Sequence, residues 1–257
     1  MLSNSARRII IGDVHGHFQG LQNLFSLLNL TDRDAVYFLG DLIDRGPESA
    51  QVVEFVRTRE YPCLLGNHEQ MMLTAYELSD SDYFAMEGWL SAGGRSTVES
   101  YLETNEQLEL DLQWMATLPT HIDLGDLWLV HAGVHPKLPL EVQTAQQFCW
   151  IRREFHQMTE PFFEDKLIVT GHTITFTFPE VEPGQIAQGV GWLDIDTGAY
   201  HPRSGWLTAF DATVRQVYQV NVYDGSTRIR PLDEAITPIQ PMRPRMVSPK
   251  KLLFHSA

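Results

Sequence analysis

Five short stretches of this sequence set side chains that could hold a cation close to side chains that could move a proton. In Gly12-Asp13-Val14-His15-Gly16 an Asp and a His stand two apart. They offer one oxygen and one nitrogen, and the flanking glycines let the backbone turn sharply there. Gly40-Asp41-Leu42-Ile43-Asp44-Arg45-Gly46 supplies a carboxylate, a second carboxylate three residues on and an adjacent guanidinium. These types suit a ligand, an orienting acid and an anion clamp. Gly66-Asn67-His68-Glu69 adds an amide oxygen, a neutral ligand for a hard cation, with His68 able to face a reacting group. His131 precedes Ala132-Gly133, and His172 lies in Gly171-His172-Thr173. Each stretch has a plainer reading. Asp-x-His recurs by chance, first-turn acids suit a helix N-terminus, Asn67 suits a helix cap, and a lone His at a strand end is usually a satisfied polar residue. Five such stretches beside glycine are hard to explain as independent accidents. Asp13, Asp41, Asn67, His15, His131 and His172 give mixed oxygen and nitrogen donors, which suit Mn, Fe, Co or Zn better than Ca. With no cysteine among them a structural zinc is disfavoured.

The apolar pattern around these residues shows how a fold could gather them. Arg8–Ile11, Ala35–Leu39 and Cys63–Leu65 are short apolar runs, each followed by glycine and then by polar residues. Leu21, Leu24, Phe25 and Leu28 between the first two form a helical stripe, and Val52, Val53, Phe55 and Val56 mark a second helix. Strands alternating with helices at this spacing indicate βαβ units and a parallel sheet, whose ligands bind beyond the carboxyl ends of the strands. Residues 79–119 read as a helical insertion over that edge, with Leu108, Leu112, Met115 and Leu118 on one face. Ile122–Leu124 and Leu127–Val130 pair around Gly125-Asp126, and His131 ends the second of them. Further strands are expected at Leu167–Val169, Trp192–Ile195, Trp206–Phe210 and Val214–Val222. Prolines at 231, 238, 241, 244 and 249 suggest an extended tail without its own core, so the domain boundary is set at residue 225. The extension 226–257 is locally basic, with Arg228, Arg230, Arg243, Arg245, Lys250 and Lys251 against Asp233 and Glu234.

A chain of 257 residues with 43% hydrophobic and 20% charged residues has an ordinary globular composition. Its net charge of -14 argues against a nucleic-acid-coating role. It does not exclude an anionic substrate, because bound cations and a few Arg invert the sign locally. The two cysteines, Cys63 and Cys149, suggest neither a disulfide framework nor a metal site. No apolar stretch approaches the ~20 residues that span a bilayer, and no signal-peptide core precedes Ile9. A cytoplasmic location is expected, with neither membrane nor nucleic acid as partner.

GDVHG, GDLIDRG, GNHE, HAG and GHT occur here in the order seen in the metallophosphoesterase superfamily. Together they resemble its PPP family of serine/threonine protein phosphatases, in particular the small bacterial and phage branch. The likeness spans roughly residues 9–211. It takes in Gly93-Gly94-Arg95-Ser96-Thr97, Trp150-Ile151-Arg152 and Ile195-Asp196-Thr197-Gly198-Ala199. It implies an α/β fold of two mixed β-sheets packed as a sandwich and flanked by helices, with a dinuclear metal site at one strand edge. By that resemblance Asp13, His15 and Asp41 hold one divalent ion, and Asp41, Asn67, His131 and His172 hold the other. Manganese is the foremost candidate, with iron, zinc or cobalt as alternatives. A hydroxide shared by the ions would attack phosphorus in line while Arg45 and Arg152 hold the phosphoryl oxygens. His68 would protonate the leaving oxygen, oriented by Asp44. Arg152 is preferred to Arg153 for its offset from Trp150, and Tyr200 and His201 could line the pocket but are expected rather at a loop or surface.

The implied substrate is a phosphoprotein carrying phosphoserine or phosphothreonine, with phosphotyrosine as an extension, or a small phosphoester. Diadenosine tetraphosphate hydrolases share the fold. They usually read Ala-Arg in place of Asp44-Arg45 and Asn-His-Asp in place of Asn67-His68-Glu69, which favours the phosphatase. A non-catalytic phosphopeptide-binding module would lack a ligand or an acid, and none is lacking. A nuclease would show a basic, aromatic-lined stripe.

Overall fold

Ile9, Ile10 and Ile11 are all fully buried, yet Ile10 belongs to a different core from its two neighbours. Successive strand residues point to opposite faces, so this strand is covered on both. It opens the computed structural model, which describes residues 6–77, 83–102 and 104–240.

In chain order the first half runs β1 (Arg8–Ile11), α1 (Phe18–Leu28), β2 (Ala35–Phe38), α2 (Ser49–Thr58) and α3 (Asn67–Glu77). It continues with α4 (Tyr83–Trp89), α5 (Arg95–Ser100), α6 (Asn105–Met115), β3 (His121–Asp123) and β4 (Leu127–Val130). The second half has α7 (Ala145–Phe148), α8 (Arg153–His156), β5 (Leu167–Thr170), β6 (Ile186–Gly189), β7 (Trp192–Asp194), β8 (Trp206–Asp211) and β9 (Gln216–Asn221). It closes with β10 (Thr227–Pro231), α9 (Leu232–Ala235) and β11 (Ile236–Pro238). α1 forms because Leu21, Leu24 and Leu28 bury one face, and it stops at Asn29, whose left-handed backbone returns its N–H to Phe25 O.

The strands make two mixed sheets, ordered β10-β9-β8-β1-β2 and β11-β6-β7-β5-β4-β3. β1 runs parallel to β2 and antiparallel to β8, while β5 lies parallel to both β4 and β7. Alternation sorts their side chains into three cores. Ile10, Leu39, Leu129, Val169, Leu193 and Phe210 fill the space between the sheets. Ile9, Ile11, Leu207 and Ala209 face α1 and α2 on one outer side. Trp128, Val130, Ile168 and Trp192 pack with Phe148 and Phe155 on the other. The result is the expected sandwich of two mixed sheets flanked by helices. Among the described residues no helix is long and apolar enough to cross a membrane.

Two expectations need adjustment. Cys63–Leu65 is not a strand; Cys63 makes a single parallel bridge to Phe38. Within residues 79–119 the helices α4, α5 and α6 appear, with Met115 buried, while residues 79–82 and 103 lie outside the described residues. Residues 227–238 are not a coreless tail: β10 and β11 each add an edge strand, one to each sheet, and Leu232 and Ala235 are buried between them. Packing therefore continues past the boundary drawn at residue 225. The part of the extension from residue 241 onward lies outside the described residues.

Candidate metal centre

Asp13 and Asp41 follow β1 and β2 of one sheet, His131 and His172 follow β4 and β5 of the other, and Asn67 opens α3 just after the Cys63 bridge. The site therefore sits where the carboxyl ends of both sheets meet. Backbone bonds lock the stretches together: the N–H groups of Val14 and His15 donate to Asp41 O at 3.1 and 2.9 Å, and that of Gly171 to His131 O at 2.9 Å. The His68 N–H donates to Asp41 Oδ1 at 3.0 Å, and the His172 N–H to the Asp13 carboxylate at 3.1 Å.

His15, Asp41, Asp44, Arg45 and His172 all adopt a left-handed backbone, with φ of 48, 50, 73, 72 and 71°. Each such non-glycine residue costs on the order of 1–3 kcal/mol and persists only where its surroundings over-determine it. Glycine supplies the room: a Cβ on Gly171 would collide with the Asp13 carboxylate, and one on Gly66 with Asp41 and Glu69.

All six candidate ligands are buried. Two imidazoles are anchored through one nitrogen and aim the other inward: His15 Nδ1 meets Ile43 O at 2.9 Å and His131 Nδ1 meets Leu39 O at 2.8 Å. Around Asp41, His15 Nε2 lies 3.7 Å from Oδ2 and His131 Nε2 lies 3.4 Å from Oδ1. Asn67 Oδ1 lies 3.0 Å from His131 Nε2 and 2.7 Å from His172 Nδ1. His15 Nε2 is 4.0 Å from Asp13 Oδ2. Donors bound to one ion at about 2.1 Å sit roughly 3 Å apart, so these spacings fit shared cations. Asp41 belongs to both of two ligand groups, one with His15 and His68, the other with His131 and His172.

The electrostatics favour binding of a cation. Burial, with Asp196 and Asp41 close by, pushes the Asp13 carboxyl well above its ordinary range. Burial and the Arg45 guanidinium hold His15 well below its own. Arg45 Nη1 meets His15 Nε2 at 2.9 Å, so a guanidinium stands against the lone pair that a cation would take.

Asp44 and His68 form a second, separate unit. His68 Nδ1 is 2.5 Å from Asp44 Oδ2, while its Nε2 faces the ligands, 4.0 Å from Asp41 Oδ2. Asp44 is fully buried and accepts from Trp89 Nε1 at 3.0 Å and from Thr97 Oγ1 at 2.6 Å. Burial lowers His68, but the carboxylates of Asp41 and Asp44 outweigh it, so its pKa stands above the ordinary value.

Arg152 Nη1 donates to His172 O at 3.2 Å and to Thr173 Oγ1 at 2.8 Å, which places it at the centre's rim. Arg153 begins α8, and among the described residues no such bond ties it to the site.

Several residues acquire a place here that their sequence positions did not announce. Tyr200 takes the less favoured of its two expected places, in the pocket: its ring lies beneath Arg45, 3.9 Å from the guanidinium carbon, and 4.8 Å from the His15 ring. His201 is paired instead with Phe176, at 4.9 Å. Glu69 accepts from the N–H groups of Asp41, Leu42 and Gly66 at 2.9, 2.7 and 3.0 Å, fixing the loop that carries Asp41. Trp89 and Thr97 hold Asp44. Asp196 is buried near Asp13 and Asp41; burial pushes its carboxyl up to about 6, against the Gly198 N–H and the Arg45 charge.

Comparison with known proteins places this geometry. The family model for calcineurin-like phosphoesterases matches residues 6–201. The symmetrical bis(5'-nucleosyl)-tetraphosphatase of Coxiella burnetii is 32% identical over 133 residues, 50% of this chain and 42% of that protein. Serine/threonine-protein phosphatase 2 of Escherichia coli is 37% identical over 132 residues, 51% of this chain and 58% of that protein. The chain thus spans about half the length of the curated relatives it matches. Among solved structures, a candidate diadenosine tetraphosphatase superposes with a TM-score of 0.60 at 19% identity, covering 90% of this chain and 96% of the other. The cold-active protein-tyrosine phosphatase of a Shewanella psychrophile gives 0.55 at 18%, covering 88% and 80%. At such identities the structures speak to the fold alone.

Proposed function

The chain belongs to the calcineurin-like phosphoesterase family, and on that footing we propose that it hydrolyses phosphoserine and phosphothreonine in proteins. The observation that carries this reading is the Asp44–His68 pair at 2.5 Å. A serine or threonine oxygen leaves phosphorus as a strongly basic alkoxide and needs a proton as it departs, whereas a nucleoside diphosphate leaves readily without one. A buried carboxylate fixes one imidazole nitrogen as a donor, so that the other can deliver a proton to the leaving oxygen.

Asp13, His15, Asp41, Asn67, His131 and His172 would hold two divalent ions, with Asp41 between them and manganese as the expected metal. Ions bound there supply Lewis acidity toward the phosphoryl group and a lowered pKa for water. Arg45 and Arg152 would grip the non-bridging oxygens from two sides, since a guanidinium fork matches phosphate geometry. Asp13 and Asp41 then serve as ligands, not as nucleophiles.

A second reading, hydrolysis of dinucleoside tetraphosphates, is favoured by the names of several relatives, the Coxiella protein among them. After reconstitution with Mn²⁺, kcat/KM on phosphoserine and phosphothreonine peptides should exceed that on diadenosine tetraphosphate by at least an order of magnitude. The reverse order would replace the first reading with the second.

A further inference from the structure

Both oxygens of the Asp44 carboxylate are held by residues far away in the chain. Thr97 Oγ1 donates to Oδ1 at 2.6 Å, and Trp89 Nε1 reaches Oδ1 at 3.1 Å and Oδ2 at 3.0 Å. His68 Nδ1 takes the remaining place on Oδ2, at 2.5 Å. Trp89 ends α4 and Thr97 lies on α5, 45 and 53 residues beyond Asp44. The turn between these helices, with Gly93 at φ 127°, folds both side chains onto the one carboxylate. All three residues are buried.

The directions of these bonds follow from counting protons. A hydroxyl has one proton to give and two lone pairs to receive, whereas a carboxylate only accepts and an indole or amide N–H only donates. Thr97 Oγ1 accepts the Asp44 N–H at 2.9 Å and lies 3.0 Å from Ser49 Oγ. Its single proton therefore goes to Asp44 Oδ1, and the Ser49 hydroxyl fills its second lone pair. Every position on the Thr97 hydroxyl is used, so its direction is fixed.

We propose that the helical insertion is the second half of the general-acid device, with Thr97 and Trp89 as positioning residues that act on His68 through Asp44. This rests on the phosphoprotein reading above. A carboxylate bonded to His68 alone could turn about its Cβ–Cγ bond and carry Oδ2 off the imidazole. Donors at both oxygens remove that freedom. Because Thr97 and Trp89 are neutral, they hold the carboxylate without cancelling the negative charge that orients His68. A cation in their place would compete for it. The arrangement serves a substrate whose leaving oxygen needs a proton, as a serine or threonine ester does.

The test uses the full chain reconstituted with Mn²⁺ and compares kcat on a phosphoserine peptide with kcat on p-nitrophenyl phosphate, whose leaving group needs little protonation. Thr97→Val removes the hydroxyl and keeps the shape, while the Asp44 N–H keeps Ser49 Oγ, at 3.0 Å, as its acceptor. The ratio of the two rates should fall by about ten- to a hundredfold, the worth of a hydrogen bond to a charged group. KM and bound metal should stay near those of the unmodified enzyme. Thr97→Ser should restore the ratio, and Trp89→Phe should lower it. Tyr101→Phe is the control for a loosened insertion. Tyr101 Oη donates to Asp111 at 2.8 Å, and among the described residues neither of these two bonds to Asp44. That variant should lose stability and keep its ratio. Because each ratio compares two substrates on one preparation, it is independent of how much protein is folded. A ratio unmoved by Thr97→Val but lowered by Asp44→Asn would overturn this inference alone. So would a Thr97→Val protein that loses its metals, or a Tyr101→Phe protein whose ratio falls as far. A ratio unmoved by Asp44→Asn as well would overturn the general-acid reading together with it.

Discussion

Arg45 is held by two contacts that leave His15 free for a cation: its backbone N–H donates to Gly93 O at 3.1 Å, and its guanidinium lies over Tyr200. A side chain held this way loses little entropy on gripping phosphate. Arg45→Ala should therefore weaken inhibition by inorganic phosphate and lower kcat/KM by about ten- to a hundredfold, the worth of a charged hydrogen bond. Arg152→Ala should behave alike, and Arg153→Ala should change little; phosphate inhibition constants for the three variants check this. A sensitive Arg153 would show that the clamp had been assigned to the wrong neighbour. At this scale the sequence was most legible where residue type and spacing coincide, as in the Asp, Asn and His candidates that now lie within a few ångströms of one another. It assigned no role to Trp89, Thr97 or Glu69, and it preferred a loop or surface to the pocket for Tyr200. They are ordinary residues whose role comes from touching Arg45, Asp44 and the Asp41 loop across long stretches of chain, and no local pattern encodes such contacts.

The elements deliver these residues through turns too tight for side chains. Gly171 packs against the Asp13 carboxylate, so Gly171→Ala should push Asp13 out of place. The expected result is a folded protein, by circular dichroism, whose bound metal and turnover both fall; full metal content would place Asp13 outside the ligand set. β1, β2, β4, β5, β7, β8 and β9 were readable as apolar runs because both faces of most of them are covered. The Cys63 bridge was over-read as a strand, since a short apolar run fits either. β10 and β11 were missed for a physical reason. Thr227–Pro231 has no buried residue and Ile236–Pro238 is three residues ending in proline, so neither shows the apolar signature of a strand. Their anchoring comes from Leu232 and Ala235 between them. Leu232→Ala should cost about 2–5 kcal/mol, readable in urea or thermal unfolding; a loss below about 0.5 kcal/mol would mark the segment as a true tail.

For the molecule as a whole, two sheets meet at one edge and concentrate buried carboxylates and imidazoles there, which is unfavourable until cations join them. Binding that is confined to the folded state stabilises it, by about 2.7 kcal/mol per ion at a free concentration one hundred times Kd. Manganese should accordingly raise Tm by roughly 5–10 °C per ion. Calorimetry on stripped and reloaded protein checks this, and an unmoved Tm would count against buried ion sites. The run of strands and helices pointed to an α/β chain with a parallel sheet, and the two mixed sheets were expected only from the resemblance carried by the five motifs, whereas the choice between a protein and a nucleotide substrate turns on what the Asp44–His68 pair does. Asp44→Asn tests that most directly, measured for metal content and for turnover of a phosphoserine peptide and of p-nitrophenyl phosphate. Among the described residues the Asp44 carboxylate is bonded to His68, Trp89 and Thr97 and to none of the six candidate ligands, so metal content should stay near that of the unmodified protein. Turnover of the phosphoserine peptide should fall by about 10²–10⁴-fold, with a much smaller loss on p-nitrophenyl phosphate, whose leaving group needs little protonation. An Asp44→Asn protein that loses its metals, or is impaired equally on both substrates, would contradict the account.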